Sequence, residues 1–178
     1  MPDLAALPGG TSVFVDTNIF DLHFQGKSLI CTVFMNRIIT GEVEAYVNTQ
    51  VLSDLLHKLM LADAFTKNLI ARRAASLLKS CLQSNRDIAV QLTDYQMQFE
   101  NTLAFGLKVL PINTKLLIDT KVERLSYGLM TGDSLHLGTM NRCTRNRHKL
   151  PLRNIVTNDA DFAHIPGLTV WQPADVIW

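Results

Sequence analysis

The sequence predicts an α/β fold, a three-layer α/β/α domain with a mostly parallel central sheet. Three observations carry that prediction. Short apolar runs of strand length occur at Val13-Phe14-Val15, across Val43 to Asn48, and at Ile155-Val156. Longer segments with apolar residues at helical spacing separate them. Strands joined through helices imply right-handed crossovers and a parallel sheet covered on both faces. At 178 residues, 1–178 reads as one domain, large enough to bury a core.

Taken in order, Thr11 to Thr17 is a first strand, entered from Pro8-Gly9-Gly10. Lys27 to Thr40 is expected to be helical and to stop at Gly41. Val43 to Asn48 is a second strand, after which Thr49 can cap a helix running to about Phe65, with Val51, Leu52, Leu55, Leu56, Leu59 and Met60 on one stripe. A further helix is expected from Thr66 to about Leu82. Ile88 to Leu92 reads as a short extended piece, Asp94 to Phe105 as a helix, and Lys108 to Ile112 as a strand. Thr114 is placed to cap a helix to Tyr127, stopped by Gly128, and Thr131 to cap the next. Asn154 to Thr157 and Leu168 to Trp171 are the last strands.

Composition narrows the function classes. The chain is 47% hydrophobic and 19% charged with a net charge of +1, so any nucleic-acid binding must come from local patches. Cys31, Cys81 and Cys143 are odd in number and widely spaced, which supports neither a disulfide framework nor a zinc site. The first ten residues lack the pattern of a signal peptide, and no segment reaches the ~20 apolar residues of a membrane span, so a cytoplasmic location without membrane association is expected. Neither a phosphate-binding Gly-rich loop nor a Gly-x-Ser-x-Gly elbow occurs.

The acids are the informative residues. Val13-Phe14-Val15-Asp16 and Ile155-Val156-Thr157-Asn158-Asp159-Ala160-Asp161 both carry an apolar run into a carboxylate. Asp54 and Asp133 lie on apolar helical segments between them. Each acid alone would serve equally as a helix or turn cap. Four at strand ends and helix starts point to a shared divalent-cation site, because open α/β sheets bind ligands beyond the carboxyl ends of their strands. Arg142, Arg145, Arg147, Lys149 and Arg153 form a stretch without an acid, suited to track a phosphate backbone, or else simply a solvated loop. His57 and His136 each follow a candidate acid by three residues and read as partly buried histidines.

In order along the chain, these motifs resemble those of PIN-domain ribonucleases, including VapC-type toxins. Phe14-Val15-Asp16-Thr17-Asn18 is similar to the first motif of that family, Thr131-Gly132-Asp133-Ser134-Leu135 to the third, and Val156-Thr157-Asn158-Asp159-Ala160-Asp161-Phe162 to the fourth. The second motif carries Glu in the family, where this chain has Asp54. The resemblance implies hydrolysis of RNA phosphodiester bonds dependent on Mg²⁺ or Mn²⁺. It implies Asp16, Asp133 and Asp159 as ligands, with Asp161 able to take the place of Asp159, and Asp54 as the residue that orients a water or acts as general base. Thr17, Asn18, Thr157 and Asn158 would hydrogen-bond waters or carboxylates around them. A protein antitoxin and a homodimer are implied as partners. Two rival readings stand beside this one. The first is a catalytically silent PIN-like module binding RNA or protein, to which Asp54 lends weight. The second is a haloacid-dehalogenase-like phosphatase, disfavoured because Asn18 occupies the position of its second acid.

Overall fold

The computed structural model describes residues 1–145, 148–149 and 151–176, with only the backbone of Thr144, Arg145, His148 and Lys149. The chain divides into two compact units, Met1–Leu52 with Gly106–Trp178, and Ser53–Phe105.

The first unit is built on β1 (Ser12–Val15), β2 (Glu44–Asn48), β3 (Lys108–Leu110), β6 (Asn154–Val156) and β7 (Thr169–Trp171). They form one sheet in the order β3-β2-β1-β6-β7, parallel throughout. Between β3 and β6, a two-stranded antiparallel ribbon pairs β4 (Thr144–Arg145) with β5 (His148–Lys149). Val13, Phe14, Val15, Ile155 and Val156 are fully buried, as continuous apolar strands in a covered parallel sheet should be. From β1 the chain moves outward to β2 and β3, then returns to the other side of β1 for β6 and β7. The order therefore reverses between β1 and β6, so the connections that leave their carboxyl ends run to opposite sides of the pair.

Helices α1 (Thr17–Phe24) and α2 (Leu29–Ile39) connect β1 to β2. The stretch expected as a helix from Lys27 to Thr40 starts later, at Leu29, because the Ser28 hydroxyl accepts the Cys31 N–H at 3.0 Å and donates a hydrogen bond to Asp175 Oδ1 at 2.5 Å. Asn48, rather than Thr49, caps α3 (Thr49–Thr66) by accepting the Val51 N–H at 3.0 Å. After β3, the single helix expected from Thr114 to Tyr127 is two, α7 (Thr114–Asp119) and α8 (Lys121–Tyr127), and the cap of the first is Asn113. Gly128, at φ 68°, ends α8 in the left-handed conformation. Thr131 is the first residue of α9 (Thr131–Asn141) instead of its cap; the cap position is Met130, with no side-chain hydrogen bond.

The second unit contains the remainder of α3 with α4 (Ala75–Ser84), α5 (Asp87–Gln91) and α6 (Asp94–Leu103). Its core is Leu61, Ala64, Ile70, Leu78 and Leu92. The helix expected from Thr66 begins only at Ala75. Asn68, at φ 58°, lets the Leu69 N–H reach back to the Ala64 carbonyl at 2.9 Å and closes α3. The residues expected to be extended between Ile88 and Leu92 are helical. Buried Asp63 joins the ends of this unit, pairing with Lys67 at 3.0 Å and accepting the Asp94 and Tyr95 N–H groups at the start of α6.

Candidate functional site

Asp16 follows the last residue of β1 and is the N-cap of α1. Its buried carboxylate is held at both oxygens. Oδ1 accepts the Thr17 N–H at 2.6 Å, while Oδ2 accepts the Asn18 amide at 2.7 Å and the Thr157 hydroxyl at 2.6 Å. Asn18 Oδ1 in turn accepts the Asn158 N–H at 3.1 Å, and Thr157 Oγ1 accepts the Asp159 N–H at 3.0 Å. Thr17, Asn18, Thr157 and Asn158 thus tie the end of β1 to the turn after β6 across the sheet reversal.

That turn presents Asp159 and Asp161. Asp159 caps a short 3₁₀ turn, Ala160–Phe162, by accepting the Asp161 N–H at 2.8 Å, and Phe162 anchors the turn in the core. Asp133 enters from the first turn of α9. Asp133, Asp159 and Asp161 each offer a carboxylate oxygen, all within 4.8 Å of one another. Among the described residues, no Lys or Arg pairs with these three acids. The carboxyl of Asp133 is pushed up to about 6, first by burial, then by the negative charges of Asp159, Asp16 and Asp161.

Oxygen donors of this kind suit a hard cation such as Mg²⁺ or Mn²⁺. Donors opposite one another on Mg²⁺ lie about 4.2 Å apart, so the three acids need only small side-chain movements to converge on an ion. The repulsion that raises Asp133 is what a bound cation would relieve, and the residues therefore fit one.

Asp54 is on α3 within the Ser53–Phe105 unit. Arg142 donates from Nη1 to Glu123 at 2.9 Å and to the Gly138 carbonyl at 3.0 Å, so its guanidinium is already engaged within the first unit. Arg153 is exposed and donates to Asn141 at 3.2 Å. Arg145 and Lys149 lie on the β4–β5 ribbon with only their backbone described, and Arg147 lies outside the described residues.

Two residues gain importance that sequence patterns did not give them. His136 is buried on α9 with Nε2 3.8 Å from Asp16 Oδ1, and Asn48 at the end of β2 donates to its Nδ1 at 3.1 Å. The available signal was the spacing of His136 from Asp133, which puts both near one face of the helix.

No protein-family model matches the chain, and neither does any curated protein. Among solved structures, a chain of VapBC2 from Rickettsia felis bound to a DNA fragment from its promoter aligns at 14% identity with a TM-score of 0.47, covering 90% of this chain and 98% of that one. A chain of a toxin–antitoxin complex from Klebsiella pneumoniae aligns at 15% identity with a TM-score of 0.50, covering 88% of this chain and 95% of that one. The likeness to the Klebsiella chain is one of fold: an α/β architecture of PIN-like type, with a five-stranded parallel sheet flanked by helices.

Proposed function

We propose that this protein is a metal-dependent ribonuclease of VapC type, cleaving RNA phosphodiester bonds as the toxin of a toxin–antitoxin pair in the cytoplasm. The observation that carries the reading is the gathering of Asp133, Asp159 and Asp161, with Asp16 raising the first of them electrostatically. Its position at the carboxyl end of a parallel sheet, where the strand order reverses, supports a ligand site. The shared fold with a chain of a toxin–antitoxin complex supports a protein antitoxin as partner. No helix among the described residues is long and apolar enough to cross a membrane.

On this reading the two compact units act as one domain, and Asp16, Asp133 and Asp159, with Asp161 beside them, hold Mg²⁺ or Mn²⁺. A hard cation bound there would neutralise charge developing on the phosphate and make a bound water more acidic. Asn18 and Thr157 fix the rotamer of Asp16, so that its carboxylate is oriented before substrate arrives. Asp54 orients the attacking water or accepts its proton. Arg145, Arg147, Lys149 and Arg153 meet the RNA backbone, with Arg142 contributing only if its bond to Glu123 opens.

Purified protein should cleave single-stranded RNA in Mg²⁺ or Mn²⁺ and lose all cleavage on chelation. Asp16→Asn keeps the side-chain shape and should lower the rate by about 10²-fold or more. Asp54→Glu, which restores the acid found in the family, should match or exceed wild type, whereas Asp54→Asn should fall well below it. Cleavage that persists in chelator would contradict the mechanism. A folded protein that binds the cation yet cleaves nothing would favour the silent RNA- or protein-binding module, the reading to which Asp54 lends weight.

A further inference from the structure

The hydrogen bonds around Asn48 determine where a proton sits 3.8 Å from Asp16. Asn48 is fully buried at the junction of β2 and α3. Its Oδ1 accepts the Val51 N–H, which fixes the amide so that Nδ2 carries both remaining protons inward. One points to Thr139 Oγ1 at 3.2 Å, whose own hydroxyl proton is committed to the Leu135 carbonyl at 2.6 Å. The other points to His136 Nδ1 at 3.1 Å. Facing a donor, Nδ1 must accept, and a neutral imidazole that accepts at Nδ1 carries its proton on Nε2. Nε2 is the atom that faces Asp16 Oδ1, and Phe14 packs against the ring with centroids 5.3 Å apart to fix its plane.

We propose that His136 is a positioning residue for the cation site, a neutral imidazole whose Nε2–H is aimed at Asp16 by the buried amide of Asn48. This rests on the reading of Asp16 as part of that site. At 3.8 Å the interaction is electrostatic rather than a formed hydrogen bond. The positive end of the N–H dipole faces Oδ1, the oxygen that, among the described residues, otherwise accepts only the Thr17 N–H. It thereby favours one orientation of the charged carboxylate, whose other oxygen is held by Asn18 and Thr157. Asn48 thus links the start of α3 to α9 through hydrogen bonds among buried groups, and His136 extends that link electrostatically to the end of β1.

The test combines a tautomer measurement with cation binding, neither of which needs turnover. In metal-free, ¹⁵N-labelled protein, the His136 nitrogens should show the proton on Nε2 and none on Nδ1. In Asn48→Asp, whose carboxylate still caps α3 but can only accept, Nδ1 should gain a proton. Binding of Mn²⁺ should weaken about tenfold or more in His136→Leu, which fills the same space without a donor, whereas His136→Gln, which restores an N–H near the Nε2 position, should recover most of the loss. A proton on Nδ1 in the wild type, or leucine and glutamine variants that bind Mn²⁺ equally, would overturn the proposal. If His136→Leu fails to fold, the tautomer and the glutamine variant's affinity against wild type still decide it. Wild-type protein that binds no Mn²⁺ would instead refute the cation site, with the tautomer measured independently.

Discussion

Burial strips water from the half-buried carboxyl of Asp133, and Asp159, Asp16 and Asp161 crowd negative charge around it, which together push it up to about 6. In the unfolded chain the same group ionises near 3.8. Its contribution to stability is therefore fully present below about pH 4 and is lost as pH rises through 6, leaving the metal-free protein strained at neutral pH. A shift of this size corresponds to ~3 kcal/mol, which solvent at a half-exposed site reduces to about 1 kcal/mol. Asp133→Asn should accordingly melt about 2–4 °C above wild type at pH 7.5 in chelator, with the difference closing towards pH 4. Calorimetry across that range checks the sign, and a variant less stable than wild type at pH 7.5 would contradict it. The charges that destabilise the empty fold are the ones a bound cation would neutralise.

Among the elements, α9 carries candidate site residues on one face and packing on another. Asp133 and His136 face the acids, while Gly138 lies against the break between α7 and α8. A Cβ at Gly138 would come within 2.4 Å of Thr120 Cγ2 and 3.1 Å of Arg142 Nη1. In an isolated helix Gly→Ala gains about 1 kcal/mol, so helix propensity and packing oppose each other here. With Thr120 fully buried, packing should win. Gly138→Ala should destabilise the protein by about 1–3 kcal/mol in denaturant unfolding while leaving Mn²⁺ affinity unchanged. A stabilised variant would show that Thr120 can move aside. This contact also shows where sequence reading stops. Thr114 to Tyr127 has an unbroken helical pattern, yet Thr120, seated against Gly138, divides it. Likewise, α1 was hidden inside the strand-end motif, because Asp16 serves both as site residue and as helix cap.

For the molecule as a whole, the parallel sheet and its acidic end were legible because local pattern sets both. Val13 to Val15 and Ile155 to Val156 are too apolar for a surface, and the polar residue that ends each run falls at the strand's carboxyl edge. The nearness of Asp133 to Asp159 and Asp161 followed from the order of elements, since an α/β chain returns each helix start to that edge. The partners of Asn48 on α9 were not legible. Its side-chain hydrogen bonds to His136 and Thr139 cross between distant elements, and no spacing within any one segment encodes them. Asp54 belongs to the second compact unit, so its role depends on function rather than on the geometry of the first unit. Anomalous diffraction from crystals soaked in Mn²⁺ tests most directly whether Asp133, Asp159 and Asp161 hold a hard cation. A manganese peak about 2.2 Å from carboxylate oxygens of Asp133 and of Asp159 or Asp161 is the predicted result. Manganese bound only elsewhere, or no peak between these acids at millimolar Mn²⁺, would contradict it.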